Sequence, residues 1–85
     1  MILTKIEIEK IENPINQCVA RVTIEINDCL RITHLKIIKG SKGLFVAMPS
    51  YKYDDGYKDV CYFIGQDLNN EISNQIIAKY MTEGI

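Results

Sequence analysis

His34 is the only histidine of this 85-residue chain, so a thiol–imidazole nucleophilic pair would have to join it to Cys18, Cys29 or Cys61. Cys29 lies five residues away, and neither group has a local activating context such as a helix N-terminus. The pattern reads as a structural histidine. The same three cysteines and one histidine could formally supply a zinc ligand set, but no Cys-x-x-Cys pair brings two of them together, and no metal is expected. Asp54 and Asp55 stand before Gly56. Adjacent carboxylates in that position form turns, because Asp hydrogen-bonds nearby backbone and Gly tolerates positive φ. Gly40-Ser41-Lys42-Gly43 lacks both the Gly-x-x-x-x-Gly-Lys-Ser/Thr spacing and the following helix of a phosphate-cradling loop. The chain therefore offers no enzyme constellation, and neither a cofactor nor a small-molecule substrate is expected.

What remains is the chemistry of binding. Tyr51, Tyr53 and Tyr57 interleave with Lys52 and Lys58. Aromatic faces that stack on bases, beside cations that meet phosphates, suit a single strand or a nucleic-acid backbone. Asp54, Asp55 and Asp59 offset that charge locally. Net charge is −1, yet Arg31, Lys36, Lys39, Lys42 and Lys52 fall between residues 29 and 53 with no acid among them. A one-signed segment creates a local positive field that the net charge conceals.

The elements that would carry these residues follow from period. In residues 3–11, Ile6 and Ile8 alternate with Glu7 and Glu9, as in a half-buried strand. Asn13-Pro14 ends it. Cys18, Ala20, Val22, Ile24 and Ile26 share one side of a second strand, and Asn27-Asp28 is a turn signal. Leu30 to Ile38 reads as a third strand whose apolar phase slips from Leu30 and Ile32 to Leu35 and Ile37, which predicts a bulge near His34. Gly43-Leu-Phe-Val-Ala-Met-Pro-Ser50 has no polar residue between its glycine and its proline, and Pro49 ends the strand it forms. Tyr51 to Gly56 is turn-rich, and Tyr57 to Ile64 predicts another strand. Leu68, Ile72, Ile76, Ile77, Tyr80 and Met81 recur at helical spacing, with Asp67 as N-cap and Gly84 as stop.

The expected fold is a single α+β domain over residues 1–85, a mainly antiparallel sheet of about five strands with one C-terminal amphipathic helix. One helix covers only part of one face. Leu44, Val46 and Met48 point one way and Phe45 and Ala47 the other, so the strand Leu44, Phe45, Val46, Met48 calls for a second cover, which a homodimer supplies. No apolar run reaches the ~20 residues that span a bilayer, and Lys5, Glu7 and Glu9 stand where a secretory signal would be apolar. A cytoplasmic protein without membrane partners, its three thiols reduced and packed, is expected.

Read as a unit, Ile37-Ile38-Lys39-Gly40, then Gly43-Leu44-Phe45-Val46-Ala47-Met48-Pro49-Ser50, then Gly56-Tyr57-Lys58-Asp59-Val60, with Ile64 and a helix bearing Ile72, Ile76, Ile77 and Tyr80, resembles the SpoVG (stage V sporulation protein G, septation regulator) family. The match keeps one register from Leu3 to Tyr80. The resemblance implies a small cytoplasmic homodimer that regulates septation and spore formation by binding DNA or RNA. Lys39, Lys42, Lys52 and Lys58 are then the candidate phosphate contacts, and Tyr51 and Tyr53 the candidate stacking residues. The chain departs from the family pattern toward lower positive charge, with Glu7 and Glu9 in the first strand and Asn70 and Glu71 at the helix start. Those acids suit the alternative, an adaptor that binds a cell-division or regulatory protein through a strand edge or the tyrosine-rich connection.

Overall fold

A computed structural model describes residues 2–14 and 16–83. The alternating segments form β1 (Leu3–Lys10), β2 (Cys18–Ile26), β3 (Leu30–Gly40) and β4 (Gly43–Ala47), an antiparallel sheet in the order β1-β2-β3-β4. β5 (Ser50–Tyr53) and β6 (Gly56–Asp59) pair only with each other as a two-stranded antiparallel ribbon, and α1 (Gln66–Glu83) follows. This is the α+β architecture expected, with two differences in the strands. The turn-rich connection after Ser50 is itself β5. The strand expected over Tyr57–Ile64 stops at Asp59, because beyond it there is no neighbour to pair with; the Val60 N–H instead closes the ribbon's base on the Pro49 carbonyl at 2.7 Å.

Alternation decides which face is dry. Ala20, Val22, Ile24 and Ile26 of β2 and Leu35 and Ile37 of β3 are buried, and Ile72 and Ile76 of α1 close over them. Leu3, Ile6 and Ile8 of β1, Leu44 and Val46 of β4, and Met48 border this core, with Leu68 and Tyr80 on the helix side. The helix rests on β1 and β4, the two outermost strands, and so bridges the sheet. No polar or charged side chain is buried among the described residues. Hydrophobic burial, at about 1.5–3 kcal/mol for each fully enclosed aliphatic side chain, therefore carries the fold.

The phase slip in β3 is resolved by the expected bulge. Val22 faces Leu35 and Ile24 faces Ile32, so Thr23 alone stands against both Thr33 and His34. His34 absorbs the extra residue with φ 69°. The kink keeps Ile32, Leu35 and Ile37 on the core face despite their broken spacing. Asn27 and Asp28, at φ 53° and 54°, form the tight primed turn that joins two twisted strands. Ser41-Lys42 makes the next turn, and Gly43 leaves it at φ 120°, a conformation that a side chain would strain.

Asp67 does not cap the helix. Helical structure begins at Gln66, and the Asn69 N–H donates to the carbonyl of Gly65, itself at φ 97°. Asp67 lies in the first turn, a position where the helix dipole favours a negative charge. The stop expected at Gly84 lies outside the described residues.

Candidate nucleic-acid interface

The ribbon sorts side chains that the sequence interleaves. In its register Tyr51 stands opposite Lys58 and Tyr53 opposite Gly56, while Lys52 faces Tyr57 and Ser50 faces Asp59. Side chains of paired residues share a face. One face therefore presents Tyr51, Tyr53 and Lys58, and the other Lys52, Tyr57 and Asp59. The Tyr51 and Tyr53 rings meet edge to face, centroids 6.4 Å apart at 84°. Lys58 Nζ lies 4.6 Å from the centroid of Tyr53. Every residue of β5 and β6 is exposed. Asp54 takes the turn at φ 47°, so the left-handed residue is the aspartate and not the glycine that follows. Asp54 and Asp55 thus sit at the tip, and Asp59 on the reverse face. The aromatic–cationic face is free of in-strand acids.

The structure does not gather all the expected cations into one patch. Lys39 and Lys42 lie at the β3–β4 turn, and the ribbon carrying Lys52 and Lys58 starts beyond the far end of β4. The whole of β4 and the Met48-Pro49 connection thus lie between the two pairs of lysines along the chain. Arg31, from the same basic run, is already engaged: its Nε and Nη2 donate to Glu25 Oε2 at 3.1 and 2.8 Å. Glu9 pairs with Arg21 at 3.5 Å, and Glu7 with Lys5 at 2.8 Å. The Lys5 ammonium, by hydrogen bond and then by charge, holds the Glu7 carboxyl below the usual carboxylate range, and Glu7 raises Lys5 in the same way. The face of the sheet turned away from the helix is thus a set of paired charges over β1 and β2.

Of the strand expected at a subunit contact, Leu44, Val46 and Met48 pack against the core. Phe45 turns to the opposite face and stays 51% exposed. β4 ends the sheet, so it is an edge strand and not a central one. Period reasoning missed the segment between the ribbon and the helix. Val60, Tyr62 and Ile64 are exposed there while Cys61 and Phe63 turn inward, an alternation that mimics a strand without one. All three cysteines are free, and Cys29 at the β2–β3 turn is exposed and not packed. His34 is exposed, its Nδ1 2.8 Å from the Thr33 hydroxyl, with no thiol partner. Among the described residues no cluster of His, Cys, Asp and Glu could hold a metal ion, and no helix is long and apolar enough to cross a membrane.

The SpoVG family model matches residues 1–82. A protein of Agathobacter rectalis named "Putative septation protein SpoVG" is 42% identical over 84 residues, covering 98% of this chain and 95% of its own. Proteins of the same name from Borreliella afzelii and Caldicellulosiruptor saccharolyticus are 35% and 36% identical, across 98% and 94% of this chain and 89% and 91% of theirs. Matches of that extent take in the β1–β4 sheet, the ribbon and the helix together, and the chain belongs to the SpoVG family.

Proposed function

We propose that this protein is a dimeric, non-enzymatic regulator of septation or sporulation that acts in the cytoplasm by binding DNA or RNA. The observation that carries the nucleic-acid part is the ribbon face of Tyr51, Tyr53 and Lys58, two exposed rings and a cation with no in-strand acid. A two-stranded ribbon held away from the body is a shape that enters a groove, and exposed rings are platforms for unstacked bases. Lys39, Lys42 and Lys52 would meet phosphate further along the strand. The septation role rests on the names of the relatives.

The test is direct because these side chains are exposed and their loss leaves the core intact. Stacking contributes about 1–3 kcal/mol per base. Tyr51→Ala with Tyr53→Ala should therefore weaken binding to single-stranded DNA or RNA by about tenfold or more, with an unchanged melting temperature. Wild-type affinity in that double variant would remove the ribbon from the interface.

A second reading has its own support. Val60, Tyr62 and Ile64 are exposed beside the ribbon, more apolar surface than phosphate contact requires, and they suit a protein partner. In an adaptor, Ile64→Asp would abolish partner binding and leave nucleic-acid affinity unaltered.

A further inference from the structure

β3 is longer than the strand that covers its outer edge. β2 pairs with it from Leu30 to Ile38, whereas β4 pairs only with Lys36–Gly40. Beyond Ala47 the chain leaves the sheet through Met48-Pro49 for the ribbon. The residues from Leu30 to the bulge at His34 are left with a strand on one side only, and among the described residues no backbone hydrogen bond from elsewhere reaches them. Such an edge presents unpaired N–H and C=O groups. Beside it runs a groove of about 500 Å3, lined by this stretch of β3 and by Pro49, Val60 and Cys61. Successive residues of β3 line it although their side chains point to opposite faces of the sheet, as a groove along the edge requires. Val60 and Cys61 open the Val60–Ile64 segment, which alternates like a strand and has no pairing partner. A strand edge and a strand-like segment thus border one groove, and neither is paired across it.

We infer that this groove takes a short extended segment of another protein, which pairs antiparallel with Leu30–Thr33 as an added strand. The inference rests on the adaptor reading above and gives it a site and a class of ligand. The unpaired groups are main-chain donors and acceptors at strand spacing, which a second peptide backbone matches and a phosphate chain does not. Charge narrows the choice. The lining holds one formal charge, Arg31, and no acid. Arg31 gives Nε and Nη2 to Glu25 on the β2 side, and its Nη1 donates to no group among the described residues. Just beyond the groove, Lys36 makes no ion pair among the described residues and stands opposite Arg21, cation against cation. An acidic segment is therefore drawn in and a basic one repelled. Register orders its side chains. Leu30 and Ile32 pair with Ile26 and Ile24 on the core face, so the residues opposite them should be apolar, and the residue opposite Arg31 should be acidic. Taken antiparallel from Thr33 to Leu30, the ligand reads polar, apolar, acidic, apolar.

The probe is a synthetic peptide, Ser-Thr-Val-Glu-Val-Ser, acetylated and amidated at its ends and titrated to millimolar concentration into isotope-labelled protein. Amide resonances of Leu30–Thr33 and of Val60 and Cys61 should shift, while those of Tyr51 and Tyr53 stay in place. Methylating the peptide's backbone amides removes its main-chain donors and should weaken binding about tenfold or more. Lys in place of the peptide's Glu should weaken binding similarly, and Arg31→Glu in the protein should reverse that preference. No shift at Leu30–Thr33, or equal binding of the methylated or the Lys peptide, would overturn the site and leave the adaptor reading to its own Ile64→Asp test. Shifts at Leu30–Thr33 on concentrating the protein alone would put a second copy in the groove and overturn the inference as well.

Discussion

His34 holds a backbone φ of 69° in the middle of a strand, a conformation that costs an L-residue roughly 1–2 kcal/mol and a β-branched one more. The bulge needs it, because only an extra residue there returns Leu35 and Ile37 to the core face. His34→Val should lower the melting temperature by several degrees, since about 1 kcal/mol moves a domain of this size by about 4–8 °C. His34→Gly should be close to neutral, as relieved strain offsets the greater freedom of the unfolded glycine. Equal melting temperatures for the two variants would mean that the bulge is not strained. A second prediction at this scale concerns Lys5 and Glu7. Glu7 is lowered in the folded chain, so its contribution is complete above the ordinary carboxylate range and is lost as pH falls through its depressed pKa. Lys5 is raised, so its contribution is complete below the ordinary lysine range and is lost as pH rises through its elevated pKa. Both groups are exposed. Glu7→Gln should therefore flatten the melting temperature slightly at both pH extremes, and the difference from wild type should shrink in high salt.

The elements differ in how firmly they are held. Ile76 is fully buried between the helix and the sheet. Ile76→Ala should cost about 2–5 kcal/mol, read from chemical denaturation, while the same change at exposed Met81 should cost little. The ribbon has no core of its own, and a hairpin alone is marginal in water. Amides of β5 and β6 should exchange hydrogen much faster than those of Val22 and Leu35. Equal protection would show that the ribbon is docked. This division also explains what the sequence could reveal. β1 to β3 are legible because apolar and polar residues alternate along them, down to the slip that marks the bulge, and β4 is legible as an unbroken apolar run bounded by Gly43 and Pro49. β5 was hidden because all its residues are wet, so burial leaves no period in them. Val60 to Ile64 showed the converse error, alternation without a pairing partner. The N-cap was misplaced by the polar run Gln66-Asp67, where Gly65 ends the preceding chain. Of the candidate site, the residues were legible and their grouping was not. Tyr51, Tyr53 and Lys58 come together only through the ribbon register, and Lys39 and Lys42 are carried away by the length of β4.

At the scale of the whole molecule, net charge is −1 and the surface of β1 and β2 is largely self-neutralised. Phosphate affinity must then come from separated local groups. Because the β3–β4 turn and the ribbon follow from opposite ends of β4, Lys42→Glu and Lys58→Glu should weaken binding additively in free energy. Lys39→Glu with Lys42→Glu or Lys52→Glu should cost about tenfold or more in affinity while the dimer persists. Lys79→Glu, on a helix that also carries Asp67 and Glu71, should do little; loss of binding there alone would move the interface to α1. The central claim, association with nucleic acid through phosphate and stacking, is tested most directly by titrating salt against the binding of wild-type protein to random single-stranded DNA and RNA. Affinity should fall linearly in log–log form by about 0.7 per phosphate contact, and the Lys42→Glu slope should be smaller by about one such contact. Binding that ignores salt, or no binding to either polymer at low salt, would contradict the account and leave the adaptor in its place.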